Sequence, residues 1–194
     1  MHIVIIPKKK IVKTAVILFL LGCIFAGLKF NLLGKIFYPY LYKETVERYA
    51  SAYGVDPHLV IAVIREESHF IPKSSSHKGA VGLMQLMPAT AEEIAGWLKE
   101  DYRQVNLELP EDNIRYGTWY LSALKKEFSD NTILVLAAYN AGSGRVKNWL
   151  RSSERDFNSY LIEDIPFPET RDYVLKVLNS YQKYSEIYPH KAKR

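Results

Sequence analysis

Cysteine is almost absent from this chain of 194 residues: Cys23 is the only one, and it lies inside an apolar N-terminal run. The residues beyond it therefore form no intrachain disulfide and no metal site of the usual Cys/His spacing. The five histidines (His2, His58, His69, His77, His190) show no H-E-x-x-H pattern, so neither a metal nor a cofactor is expected. Positive charge is lacking where a nucleic-acid binder needs it. The net charge is +5, but six lysines (Lys8, Lys9, Lys10, Lys13, Lys29, Lys35) fall in residues 1–35, which hold no acid. The remaining 20 basic residues face 21 acidic ones. A near-neutral body has no basic face for nucleic acid, although the tail His190-Lys191-Ala192-Lys193-Arg194 keeps a local cluster. Internal repeats, low-complexity tracts and a convincing series of strands are also missing, which leaves a mainly helical chain with room for one small β-hairpin.

What is present begins with a lysine-rich start and fifteen residues without charge, Thr14 to Leu28. Letting Lys13 and Lys29 snorkel extends the apolar run over 11–33, roughly 34 Å of helix, enough to span a bilayer. Lysines ahead of the span predict a cytoplasmic N-terminus and a body outside the membrane. Two rival readings attach to the same segment. Leu20-Leu21-Gly22-Cys23 resembles a lipobox, which would make Cys23 a lipidated anchor, but Ile24-Phe25-Ala26-Gly27-Leu28 is not a polar tether. A cleaved signal peptide calls for a polar mature start, and the apolar character continues to Leu33 and through Ile36-Phe37-Tyr38.

Helix signals then succeed one another. Residues 39–53 read as a helix stopped by Gly54, and Asp56 with Pro57 opens the next. After the polar loop 71–79, the segment 79–87 is too apolar for an idle loop and too glycine-rich for a helix, so a short hairpin against the core is expected. Pro88 and the capping box Thr90-Ala91-Glu92-Glu93 start a helix ending near Lys99. A further helix is predicted over 111–128. Asn131 or Thr132 caps 133–139, which is apolar nearly all round and so central. Residues 145–150 add an amphipathic turn with Trp149 as its core contact. Pro166 and Pro168 lead into the last helix, where Tyr173, Val174, Val177, Leu178, Tyr181 and Ile187 recur at helical intervals.

One carboxylate is out of place in this pattern. With Leu59 at zero and about 100° per residue, Leu59, Val60, Val63, Ile64 and Phe70 form a stripe from roughly 0 to 140°. Glu67 falls near 80°, inside the stripe, whereas Glu66 falls near 340° on the flank closer to water and Arg65 near 240°, facing away. Burial favours a neutral carboxyl that can hold a proton and donate it. On this stretch alone, a helix-end Glu paired with Arg or accepting backbone hydrogen bonds is an equally open reading.

Four junctions where an apolar run meets a polar group stand out: Glu67-Ser68, Gly82-Leu83-Met84-Gln85, Ala138-Tyr139-Asn140-Ala141-Gly142 and Glu169-Thr170-Arg171-Asp172-Tyr173. In order and spacing they resemble the motifs of the soluble-type (Slt) lytic transglycosylases, relatives of the goose-type lysozymes, over about residues 41–185. Glu66 stands where the family commonly has Gln, and Ile71 where it often has Asn before the Pro. The resemblance implies a lysozyme-like helical domain, placed over 36–194 after the lysine-rich start and anchor helix that charge and hydropathy give for residues 1–35. It aligns Glu67 as the single catalytic acid, since that acid is the one followed by Ser.

The activity so implied is cleavage of the β-1,4 bond between N-acetylmuramic acid and N-acetylglucosamine in peptidoglycan glycan strands, with a 1,6-anhydro product. Substrate-binding residues implied by resemblance are Ser68, Ser76, Gln85, Met87, Tyr139, Asn140 and Tyr173, with Tyr139 and Asn140 orienting Glu67 or the N-acetyl group. Glu169 is implied as a cleft-wall residue, more structural than chemical. The expected partners are the glycan strands, the cytoplasmic membrane and an envelope protein complex. Three rivals remain: a hydrolytic muramidase, a non-catalytic glycan-binding scaffold, and a structural membrane protein with a helical body.

Overall fold

The computed structural model describes residue 17 and residues 32–152 and 160–189. The membrane span expected over 11–33 and Cys23 lie almost wholly outside the described residues, as do most of the polar stretch 151–158 and the tail 190–194. Among the described residues no helix is long and apolar enough to cross a membrane. The chain divides into two compact units after Pro39; in the first, residues 32–37 are helical.

The second unit is built from seven described helices: α1 Lys43–Tyr53, α2 Pro57–Ser68, α3 Pro88–Leu98, α4 Pro110–Glu127, α5 Thr132–Ala141, α6 Ser143–Ser152 and α7 Pro168–Ile187. Local chemistry sets most of their ends. The Asp56 carboxylate accepts the His58 N–H at 2.8 Å, Pro57 occupies the first helical position, and Asn131 accepts from Ile133 and Leu134 at the start of α5. Such a cap contributes about 1 kcal/mol. Two expected starts differ. Tyr42 adopts a left-handed φ of 54°, so α1 begins at Lys43 and not at Pro39. With Pro88 at the first position of α3, Met87 takes the cap position and Thr90 falls within the first turn; the expected capping box is not used.

The core is wrapped around α2 and α5. Val60 to Ile64 are all fully buried, as are Leu134 to Ala138, so both helices are covered on every side, and α7 packs on α2 and α5 together. Full burial of a large aliphatic side chain contributes about 1.5–3 kcal/mol. This coverage corrects the two-sided reading of α2. Its flank at Glu66 is closed by α7, where the Ser180 hydroxyl donates to Glu66 at 2.6 Å, and Phe70 lies beyond the helix with a φ of 67°. Trp149 is also reassigned, since Val146 and Leu150 are the buried residues of α6.

Between α2 and α3 the expected hairpin shrinks to isolated antiparallel bridges, Ser75 to Val81 and Val81 to Leu86, with no strand among the described residues. A side chain that sequence reading passed over holds this segment. Asn113 of α4, fully buried, donates to the carbonyls of Val81 and Leu107, each at 2.9 Å, and accepts the Met84 N–H at 2.7 Å. Gly82 is what lets it approach: a Cβ there would lie 2.1 Å from the Asn113 amide nitrogen and 2.2 Å from the Leu107 carbonyl, at a φ of +86°. The Gly82→Ala variant is therefore expected to lose at least about 2 kcal/mol of stability in chemical denaturation. Gly79→Ala, with the same φ but nothing within 4 Å, is expected to lose only about 1–2 kcal/mol, the backbone penalty alone.

Candidate active site

Glu67 sits in the last turn of α2, on the wall of a cleft of about 430 Å³. Opposite it run the loop 76–87, the end of α5 and the starts of α6 and α7. The polypeptide around the carboxyl is dense, and this desolvation is the largest influence on it, pushing its pKa from 4.5 up to about 7. The Tyr173 hydroxyl facing it pulls the other way, and the negative charge of Glu66 adds to the rise. Near neutrality Glu67 is thus poised between the acid that gives a proton and the base that takes one.

Six of the expected residues line the cleft: Ser76, Gln85, Met87, Tyr139, Asn140 and Glu169. Their hydrogen bonds show which are committed elsewhere. The Ser76 hydroxyl oxygen accepts the Ala80 N–H at 3.0 Å, which shapes the loop tip. Gln85, at a left-handed φ of 47°, donates from its amide to the carbonyls of Ser74 and Gly82 at 3.1 and 2.9 Å. Tyr139 donates to the Met84 carbonyl at 2.8 Å, so its one proton is engaged there. Asn140 accepts from the Thr170 hydroxyl at 3.0 Å, which ties the end of α5 to the first turn of α7. Glu169, 82% exposed, pairs with Lys78 at 3.9 Å on the rim.

Two expected contact residues are displaced from the cleft. Ser68 is 4% exposed; its hydroxyl donates to the Leu83 carbonyl at 2.8 Å, with the Ile64 carbonyl at 3.1 Å. It ties α2 to the glycine-rich loop and is not among the residues lining the cleft. Tyr173 lies behind the acid, outside the cleft lining. Its hydroxyl oxygen is buried with no hydrogen bond of good geometry among the described residues, yet it is close enough to act on the charge of Glu67. Burial, then the field of Glu67, push the Tyr173 and Tyr139 phenols well above their usual range, so both are neutral donors at any physiological pH.

The structure also adds lining residues that periodicity could not find. Trp149, expected in the core, joins Phe167 on the cleft wall with ring centroids 5.3 Å apart. Lys78 and Arg145 bring positive charge to the same lining. The exposed Phe167 between two prolines was the one available signal, since a large apolar side chain in a rigid connection has no core to enter. Beside the cleft runs a larger groove of about 690 Å³, bearing Trp97, Trp119 and Tyr120. The Tyr120 ring of this groove lies 5.4 Å from the Tyr139 ring of the cleft lining. Among the described residues no group of three or more His, Cys, Asp or Glu could hold a metal ion.

Comparison with known proteins bears on this geometry. The soluble lytic murein transglycosylase of Salmonella typhimurium is 41% identical over 79% of this chain and 24% of its own length. The membrane-bound lytic murein transglycosylase F of Desulfosudis oleivorans is 32% identical over 75% of this chain and 33% of its own. Among solved structures, an inactive glutamate-to-glutamine mutant of the lytic transglycosylase Slt from Pseudomonas aeruginosa matches with a TM-score of 0.70 and 39% identity, covering 78% of this chain and 25% of that one. The chain thus spans about a quarter to a third of the length of these relatives. Residues 44–161 match the family model described as the transglycosylase SLT domain, and it is to this family that the chain belongs.

Proposed function

We propose that the chain is a lytic transglycosylase that cleaves the β-1,4 bond between N-acetylmuramic acid and N-acetylglucosamine in peptidoglycan, with Glu67 as its single acid and base. The observation that carries this reading is the solitude of Glu67. It is a carboxyl pushed up to about 7 at the cleft wall, while the other acid of the lining, Glu169, is solvated on the rim beside Lys78, and Glu66 is turned to Ser180 of α7. Retaining and inverting glycosidases place two carboxyls about the scissile bond. With one, the substrate has to supply the second group.

Such a reaction balances in bonds and protons. Protonated Glu67 gives its proton to the glycosidic oxygen, which leaves as the C4 hydroxyl of N-acetylglucosamine. The N-acetyl carbonyl oxygen of the muramic acid residue bonds to C1 and offsets the oxocarbenium charge. Glu67, now a carboxylate, takes the proton of the C6 hydroxyl as that oxygen bonds to C1, the N-acetyl group is released, and a 1,6-anhydro ring results. General acid–base assistance of this kind contributes about 10²–10⁴-fold. The glycan polymer extends past any one cleft, and the adjoining groove with its exposed indole of Trp97 offers flat aromatic faces to the sugars beyond Tyr139. The same proposal sets the body outside the cytoplasmic membrane, carried by the apolar run 11–33, with lipidation at Cys23 as the alternative, and leaves room for an envelope complex around it.

Mass spectrometry of muropeptides released from purified cell wall is the direct test: 1,6-anhydro ends are expected, and reducing ends would make the enzyme a muramidase instead. Glu67→Gln is expected to lower release by at least about 10²-fold with folding and glycan binding retained; full activity would remove Glu67 from the role, and binding without turnover in the wild type would leave a scaffold. The pH dependence has a definite sign. Because the first step needs the neutral acid, kcat/KM is expected to fall as pH rises through about 7. The raised proton affinity also means that stability contributed by this group is fully present below the ordinary value of 4.5 and is lost as pH rises through about 7. That loss is on the order of 3 kcal/mol, and denaturation of Glu67→Gln across the same range should not show it. Trp97→Ala is expected to weaken binding of long glycan strands by roughly three- to tenfold, measured by calorimetry against short fragments.

A further inference from the structure

Two of the chain's methionines, Met84 and Met87, stand in the glycine-rich loop in opposite settings. Met84 is fully buried. Its sulfur lies against α4, where a Cβ at Gly117 would meet it at 2.4 Å, and its N–H and carbonyl are held by Asn113 and Tyr139. Met87 is 41% exposed and lines the cleft together with Glu67, Gln85 and Tyr139.

The exposure of Met87 is fixed by the chain on both sides of it. Leu86 is buried and exchanges both backbone hydrogen bonds with Val81, at 2.9 and 3.0 Å. Pro88 opens α3, and the Met87 carbonyl accepts the Ala91 N–H at 2.9 Å. Met87 is thereby held in extended geometry at the cap position of α3, where its side chain makes no capping bond. Ser, Asp or Asn there would accept an N–H of the first turn. A flexible, polarizable and apolar thioether in that place serves contact with a ligand and not the helix end. It also presents an open sulfur lone pair to water, the group that peroxides attack.

We propose that Met87 is an oxidation site that controls the cleft: hydrogen peroxide converts it to methionine sulfoxide while Met84 is spared, and the oxidised cleft holds glycan less well. In this step the sulfur lone pair bonds to one peroxide oxygen as the O–O bond breaks. The proton of that oxygen passes to the departing hydroxide, which leaves as water; sulfur is oxidised and the peroxide is reduced. A polar, chiral group then stands where an apolar one lined the wall, and the water it holds has to be stripped before a sugar can pack there. A methionine sulfoxide reductase supplied with thiols reverses the change, the oxygen leaving as water while the thiols join as a disulfide. The consequence for turnover rests on the reaction proposed above.

The experiment treats the full chain and Met87→Leu with dilute hydrogen peroxide, maps added oxygen by peptide mass spectrometry, and measures binding of soluble glycan fragments by calorimetry beside release of anhydro product. Leucine keeps an apolar side chain of similar volume and has no sulfur, and each protein is compared with its own untreated state. Oxygen is expected on Met87 and not on Met84 in the folded chain, on both after unfolding in guanidinium, and more slowly on Met87 when glycan is bound. Oxidised wild type is expected to bind glycan roughly three- to tenfold more weakly, with KM rising more than kcat falls, and methionine sulfoxide reductases to restore it. Met87→Leu is expected to bind as well after peroxide as before. Equal oxidation of the two methionines in the folded chain overturns the proposal, as does a rate at Met87 indifferent to bound glycan. Complete conversion of Met87 with binding unchanged overturns it too, and so does an equal loss in Met87→Leu, which would move the effect to Cys23 or another residue. Oxidation at Met87 with weakened binding, in a chain that releases no anhydro product at any pH, supports the site and rejects the reaction.

Discussion

The site depends on one buried amide. Asn113 saturates the backbone of the loop that walls the cleft, with two carbonyls and one N–H satisfied by a single side chain. Without those bonds the loop would have unpaired polar groups in the core, each costing about 1–3 kcal/mol, and no fixed surface to shed water from Glu67. Two further contacts fasten helix ends to the loop that this clamp holds. Ser68 fastens the end of α2 to the loop through Leu83, and Tyr139 fastens the end of α5 to it through Met84. The hydrogen bonds thus fix the position of the wall that faces the cleft, and burial of the Glu67 carboxyl is the largest influence on its proton affinity.

Much of this was legible in the chain, and the division between what was and was not is one of range. Asp56 with Pro57, Gly54 and Asn131 act on residues two to four positions away, so their helix ends are set by the local sequence. The 3.6-residue pattern put Glu67 on a covered face, which holds. It misplaced Glu66, because periodicity describes one helix and cannot know that α7 closes the opposite flank at Ser180. Thr90 carried a good capping pattern, but the proline two residues earlier had already begun the helix. Asn113 gave no signal at all: a polar residue in the first turn of a helix is ordinary, and its value lies in Val81, Met84 and Leu107, which are distant in sequence or on another element.

Ser68 and Tyr173 stand outside the cleft lining and bear on the acid's surroundings, one as a tether to Leu83 and one as a neutral phenol near the carboxyl. The cleft gains in return Trp149 and Phe167, whose paired rings a sequence reading assigns to a core or to a connection. Apolar side chains on a concave surface look the same as core residues until the fold shows which side has no neighbour. The proposed chemistry gains from this mixture. Aromatic walls shed water and leave a small number of polar groups to fix orientation.

The position of Glu67 in the final turn of α2 has an effect that no side chain supplies. The unpaired carbonyls at a helix C-terminus carry partial negative charge, equivalent to about half an electron, and disfavour an anion there by about 0.3–1 kcal/mol. Part of the acid's hold on its proton is therefore a property of the main chain itself. Substitutions throughout the cleft could strip away aromatic walls and neighbouring charges and still leave that dipolar contribution in place for as long as the helix ends at Ser68.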